Sequence, residues 1–341
     1  MKKILVIRLS SLGDVVLSAP ILRAMRLQAG VEVHLLTKPG MGDLLHGGDA
    51  VDKFYTWGEP GLWKQLKDEN YNGILDLHKN WRSFQVFFRL FVLNPFRMIA
   101  GGGRVASYDK KRFQRWLFVK TKSSRFQVSH VQLRYLSAAK KLLPSITLDD
   151  FGGGLPGFEG VMATDDGLSQ GLWTAMGYGV AVLGGTYQTK KIPLSVWEKV
   201  LQCDDRQWIL IGGSNELPVA EALVEKFGDR LLNRVGTFGL LDSSKCIANA
   251  AYVVGGDTGF SHVAAAYGRP LLVIWGNTHP GLGFAAGHNN NKVLHLLPRQ
   301  LACHPCSKLG HSECPKGHLR CMNDYLALEI KLLLQKLQAF S

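Results

Sequence analysis

Apolar residues along this chain fall into short continuous runs separated by helical stretches, not into one long run. In the first half, Ile4–Leu9, Val31–Leu36, Val51–Tyr55, Gly73–His78 and Arg97–Ala100 read as strands. In the second half, Gly179–Leu183, Gln207–Ile211, Tyr252–Gly255, Pro270–Trp275 and Val293–Leu297 do the same, with helices near Pro193–Gln202, Leu217–Phe227, Leu240–Ala250 and Phe260–Tyr267. Apolar strands alternating with helices indicate α/β architecture with parallel sheets covered on both faces. The Gly-rich passage from Asp149 to Gly171 follows neither period and reads as an interdomain linker. The expected organisation is therefore two doubly wound, Rossmann-like domains, 1–160 and 161–322, with a leucine-rich helix over 323–341.

A chain of 341 residues suits two domains of ordinary size, and 46% hydrophobic with 20% charged residues is a folded, globular composition. No stretch approaches the apolar length that spans a bilayer. The opening Met1–Arg8 imitates a signal peptide, but its apolar run is short and Arg8 interrupts it, so a first strand and a cytoplasmic protein are expected. The net charge of +13 is concentrated: between Lys79 and Lys141 stand 15 basic residues and a single acid, Asp109. Such asymmetry points to an anionic partner, whether phosphorylated substrate, membrane surface or nucleic acid. Trp81, Phe84, Phe87, Phe88, Phe91, Phe113 and Trp116 are interleaved with those charges, a pattern that can lie at a lipid headgroup interface or form a core helix with a basic outer face.

Two strand–turn–helix junctions carry candidate chemistry. In the stretch from Val253 to Pro270, the first free N–H groups of a helix fall near Thr258 and Gly259, which makes an anion site. Asp257 adds a carboxylate there, and His262 an imidazole about one turn further on. At the other junction, Ser10–Asp14 reads as the loop after the first strand and Val15–Gln28 as the helix, with Pro20 in its first turn or at a kink. Asp14 lies where open α/β sheets place their ligands, either as a helix cap or as a general base. Between Gly184 and Pro193, glycines, Thr186, Thr189 and Lys190 or Lys191 form a further phosphate cradle, or else a basic surface loop. Glu216, after another strand, suits a ribose hydroxyl. Neither a P-loop nor a strict dinucleotide fingerprint is present, and no Asp-x-Asp pair offers a metal–nucleotide site.

Together these segments resemble the bacterial lipopolysaccharide heptosyltransferases of glycosyltransferase family 9. The resemblance rests on Ile7-Arg8-Leu9-Ser10-Ser11-Leu12-Gly13-Asp14-Val15 and on Asp257-Thr258-Gly259-x-x-His262-x-Ala264-Ala265, followed by Pro270 and Gly276-Asn277-Thr278. It rests also on Lys190-x-x-Pro193-x-x-x-Trp197, where Ile192 stands in place of a frequent aromatic. It implies a GT-B type fold, with nucleotide sugar bound mainly by the C-terminal domain and acceptor by the N-terminal one. Carried onto this sequence, it makes Asp14 the base that deprotonates the acceptor hydroxyl, with Lys190 supporting catalysis. Thr186, Lys190, Thr258, Gly259 and His262 hold the diphosphate, Glu216 the ribose, and Asp257 lines the cleft. Lys79, Arg82 and Arg112 are the acceptor-binding candidates from the basic window. The implied donor is a nucleoside-diphosphate sugar, ADP-heptose favoured, and the acceptor an anionic lipopolysaccharide core or lipid A-type molecule at the inner face of the inner membrane. Transfer would be inverting and metal-independent, with no cofactor.

Cys303, Cys306, Cys314 and Cys321 form a separate cluster interspersed with His304, His311 and His318. The spacing is compatible with structural zinc, reduced thiols or a local disulfide, and it is not that of a standard ribbon. Cys203 and Cys246 read as core residues. Two other functions compete: a basic nucleic-acid-binding protein, or a GT-B-like epimerase or inactive homologue. The first explains the charge but leaves Asp14, Lys190 and the Asp257–His262 segment without roles.

Overall fold

The computed structural model describes residues 1–92, 104–148, 155–157 and 177–340. They fall into two compact units, Met1–Lys110 with His130–Gly157, and Lys111–Ser129 with the described part of Phe158–Ser341.

The first unit is built on β1 (Lys3–Ile7), β2 (Glu32–Thr37), β3 (Lys53–Thr56), β4 (Gly73–Asp76) and β5 (Arg104–Ser107), all parallel, in the order β3-β2-β1-β4-β5. Its helices are α1 (Leu12–Ala29), α2 (Leu62–Asp68) and α3 (Trp81–Phe87), and later in the chain Val131–Ala139. Leu5, Ile7, Leu36, Ile74 and Val86 are buried in one cluster, as continuous apolar strands require. The helix after β1 begins at Leu12, not at Val15. Ser11 precedes it, and the Asp14 carboxylate accepts the Ser11 backbone N–H at 3.2 Å, a capping contact that extends the helix by a turn. Pro20 lies buried inside this helix, beyond its first turn. The expected strand Arg97–Ala100 and most of the Gly-rich linker lie outside the described residues; the fifth strand described is Arg104–Ser107.

The second unit contains α4 (Arg112–Thr121), and its sheet is formed by β6 (Gly179–Val182), β7 (Trp208–Ile211), β8 (Leu231–Asn233), β9 (Tyr252–Gly255), β10 (Leu271–Ile274) and β11 (Val293–Leu296). With α5 given to Val131–Ala139 of the first unit, the crossovers here include α6 (Leu194–Gln202), α7 (Leu217–Phe227), α8 (Leu240–Ala248) and α9 (Gly259–Ala266). The order is β11-β10-β9-β6-β7-β8, again wholly parallel. The edge strand β8 is absent from the sequence expectation: three residues are too few to show a period. Although α4 precedes Val131–Ala139 in the chain, it packs on the second unit, with the Arg115 guanidinium 4.7 Å from the Phe284 ring centroid and Phe118 edge-on to His279 at 5.3 Å.

The expected terminal helix is divided into α10 (Arg320–Asn323) and α11 (Ala327–Gln338). At the break the buried Tyr325 hydroxyl donates to the Trp275 carbonyl and approaches the Leu296 carbonyl at 3.3 Å. Ile330, Leu334 and Leu337 then join Trp197 and Leu272 in the core. Cys246 is buried, as expected; Cys203 is only half-buried at the end of α6, its thiol 3.6 Å from the Ala327 carbonyl. Among the described residues no helix is long and apolar enough to cross a membrane.

Tyr325→Phe keeps the ring and deletes the hydroxyl that ties β10 and β11 to the chain end. It should lower unfolding free energy by about 1–2 kcal/mol in urea titration without altering the slope.

Candidate active site

In each unit the sheet order reverses once, between β1 and β4 and between β6 and β9. Connections leave such neighbours in opposite directions, so a crevice opens at their carboxyl ends. Asp14, after β1, lies at the first of these, and Lys190 and Asp257, after β6 and β9, at the second.

In the second unit, the turn after β9 carries Asp257 and the short 3₁₀ turn Gln188–Lys190 follows β6. The Lys190 ammonium lies 2.6 Å from an Asp257 carboxylate oxygen. The Thr278 hydroxyl, from the connection after β10, donates to the same oxygen at 3.0 Å. Two glycines let these segments meet: a Cβ on Gly256 would stand 2.6 Å from the Lys190 carbonyl oxygen, and one on Gly276 would stand 2.2 Å from that of Thr189. α9 starts at Gly259 with Thr258 in extended conformation before it, so the first helical N–H groups face the Asp257 turn. Ser261 fastens this turn by donating to the Gly256 carbonyl at 2.6 Å. His262 is buried in α9.

Beside this cluster Lys191 meets Glu216 at 2.6 Å, and Glu216 also accepts the Gly213 backbone N–H at 2.9 Å. Gln188, Lys191, Asn215 and Glu216 line a cavity of about 260 Å³. Thr186 is exposed. Its neighbour Thr189 is the buried hydroxyl of the loop, accepting the His311 N–H at 2.8 Å and donating to the His311 carbonyl at 3.0 Å. The arrangement presents two cations and a helix N-terminus together, which suits a diphosphate.

In the first unit, Asp14 sits in the first turn of α1 and pairs with the buried Arg8 guanidinium. Arg8 also donates to the Leu77 carbonyl and lies 5.8 Å from the Tyr135 ring centroid. Burial opposes the Arg8 charge, but Tyr135 and Asp14 outweigh it and hold its pKa above the usual arginine range. The Ser11 hydroxyl donates to Asp14 at 3.1 Å, and the Tyr135 hydroxyl stands 3.5 Å from its other oxygen. After β4, Asp76 accepts the Lys79 N–H at 2.7 Å and the Ser83 hydroxyl at 2.7 Å. Asp76, Lys79, Asn80, Ser83 and Phe84 line a cavity of about 300 Å³.

Lys79 and Arg82 therefore belong to the first unit, Arg82 being exposed on α3; Arg112, also exposed, opens α4 of the second. Sequence reasoning did not select Arg8, Tyr135, Asp76 or Thr278 as site residues. Arg8 had left a signal, a charge ending an apolar strand, and Thr278 stood within a recognised motif.

Two half-buried histidines flank these sites. Burial, then Arg8 and Lys110, pushes His78 down to about 4; burial, then His304 and His295, does the same to His279. Both imidazoles are thus neutral in the folded protein where the unfolded chain, near 6.5, already takes up protons. Their contribution to stability is complete above pH 6.5 and is lost as pH falls toward about 4. His279→Gln should make this loss smaller in urea titrations across that range, and an unchanged slope would remove His279 from the account.

A family profile described as glycosyltransferase family 9 (heptosyltransferase) matches residues 61–315. The chain is 37% identical over 75 residues to lipooligosaccharide heptosyltransferase 2 of Haemophilus influenzae, covering 21% of this chain and 22% of that protein. It is 30% identical over 128 residues to lipopolysaccharide heptosyltransferase 1 of Escherichia coli, covering 36% and 39%. The aligned stretches thus span well under half of those relatives' lengths. The solved structure of E. coli heptosyltransferase WaaC with ADP superposes with a TM-score of 0.68 at 20% identity, covering 98% of this chain and 99% of that one.

Proposed function

Since the chain belongs to glycosyltransferase family 9, we propose that it transfers heptose from ADP-heptose to an anionic lipopolysaccharide core or lipid A-type acceptor, with inversion and without a catalytic metal. The observation that carries this reading is the convergence of Lys190, Asp257 and Thr278 at the start of α9, with Lys191 and Glu216 alongside.

The sugar–phosphate bond breaks as the acceptor oxygen attacks the anomeric carbon from the opposite face. Negative charge then grows on the departing diphosphate. Lys190 and the N–H groups at Thr258 and Gly259 stabilise that charge, which makes a metal unnecessary. Asp257 and Thr278 fix the Lys190 side chain, Thr186 and His262 complete the phosphate side, and Glu216 accepts from the ribose hydroxyls. Asp14 takes the acceptor proton, its carboxylate oriented by Arg8 and Ser11. The first unit accordingly serves the acceptor and the second the donor. Lys79 and Arg82 attract the anionic acceptor from the first unit and Arg112 from the second. Trp81, Phe84 and Phe88 are exposed on and just after α3 among these cations, which supports peripheral contact with an anionic membrane at its cytoplasmic side.

Asp14→Asn should reduce turnover by about a hundredfold or more while ADP affinity changes by less than about twofold. Lys190→Ala should weaken both turnover and ADP affinity by about tenfold or more, because its charge meets the diphosphate before and during transfer. Kinetics with ADP-heptose and calorimetry with ADP distinguish the two patterns. Near-normal turnover in Asp14→Asn would sink the base assignment. Retention of activity in EDTA during a brief assay is expected; a requirement for added Mg²⁺ or Mn²⁺ would contradict metal-independent transfer.

A further inference from the structure

Lys191 has no task in the transfer derived above, yet its ammonium is held at the same distance from a carboxylate as that of Lys190. Lys190 ends the short 3₁₀ turn Gln188–Lys190, and Lys191, after it, is extended. The change of conformation sends consecutive side chains to different partners. Lys190 Nζ meets Asp257, in the turn after β9, and Lys191 Nζ meets Glu216, after β7, each at 2.6 Å.

Glu216 ends the 3₁₀ turn Ser214–Glu216, directly before α7, and its two oxygens are held separately. Lys191 takes Oε1, and the Gly213 N–H donates to Oε2 at 2.9 Å. The surroundings of Oε2 are backbone. A Cβ on Gly184 or Gly212 would stand 3.5 Å from that oxygen, and one on Gly213 3.4 Å, so glycine at these three positions keeps side chains from covering it. A carboxylate oxygen accepts at two positions, and Gly213 uses one of them.

The pair is not a solvent-screened surface contact. The Glu216 side chain is 9% exposed and that of Lys191 22%. Without a cation, a carboxylate so nearly buried either takes up a proton or turns toward water. In both cases a ligand hydroxyl loses its ionised, oriented acceptor. A bare carboxylate in the loop after β7 would also repel an anionic donor, and Lys191 cancels that charge.

Given the ribose role assigned to Glu216 above, we propose that Lys191 is a positioning residue for donor specificity: its ion pair holds the Glu216 carboxylate ionised and turned to accept from the ribose hydroxyls. The preference for a ribonucleotide then depends on a residue one contact removed from the ribose. The two consecutive lysines divide the donor between them, Lys190 serving the diphosphate and Lys191 the sugar next to the base. Lys191 and Glu216 line the 260 Å³ cavity together with Ile192, Leu194 and Val219, and that space admits the larger guanidinium of an arginine at position 191.

The test is calorimetric titration of the full-length protein with ADP and with 2′,3′-dideoxy-ADP, which lacks both ribose hydroxyls. The wild type should prefer ADP by about tenfold or more. Lys191→Met, which keeps the length of the side chain without its charge, should weaken ADP binding by about tenfold and cut the preference to less than about threefold. Lys191→Arg should restore it. A lysine that merely braces the loop would, when replaced, weaken both ligands alike and leave their ratio unchanged. That ratio, unchanged in Lys191→Met while Glu216→Gln abolishes it, would overturn the proposal and leave the ribose role of Glu216 standing. A full preference retained in Glu216→Gln would overturn the ribose role itself, and the role of Lys191 with it. The double variant Lys191→Met/Glu216→Gln leaves no bare buried charge and so remains measurable even where Lys191→Met alone does not fold. It should bind ADP within about twofold of Glu216→Gln, because the lysine acts only through that carboxylate. A further tenfold loss, about what Lys190→Ala should show, would mean that Lys191 meets the diphosphate directly and would overturn the proposal.

Discussion

One carboxylate organises the second unit. Asp257 receives Lys190 from the connection after β6 and Thr278 from the connection after β10, so three separate loops are fixed relative to one another at a single oxygen. Such convergence is available only where the sheet order reverses, because there the loops diverge and leave their ends accessible. Glycine at 256 and 276 is required by the same contact: any side chain would push the Lys190 turn away. The ion pair is partly buried, and most of its value lies in preorganisation. Asp257 holds the Lys190 charge in place, so under the proposed function little reorganisation would remain for the reaction.

The first unit repeats the plan with different chemistry. At its own reversal, a buried arginine holds the Asp14 carboxylate, while Asp76 shapes the neighbouring loop by accepting backbone and hydroxyl donors. Cationic groups and helix amides gather in the second unit, whereas the first presents a carboxylate poised on an arginine. This division of labour is what the proposed two-substrate transfer would need: charge stabilisation on the leaving group and proton removal on the nucleophile.

Much of this was legible in the sequence, for identifiable reasons. β9 and α7 have the expected bounds because apolar runs with clear Gly or Pro edges leave little choice of register. Lys190, Glu216 and Asp257 stood out as candidates because each follows a strand, and the structure places each of them after one. What escaped was tertiary. The start of α1 depends on Asp14 reaching back to Ser11, and β8 is too short to carry a period. Thr186 drew attention as the first hydroxyl of its loop, yet Thr189 is the one buried against His311. The basic window looked like a single feature, but α4 packs through Arg115 and Phe118 onto the second unit, so its charges are divided. No local pattern reports that exchange.

The most direct test of the account is calorimetric titration of the purified chain with ADP, UDP and GDP in the presence of EDTA. The geometry around Lys190, Asp257 and Glu216, with the family assignment, predicts selective ADP binding that survives EDTA and is lost in Lys190→Ala. Preference for UDP or GDP, or ADP binding that Lys190→Ala leaves intact, would contradict it.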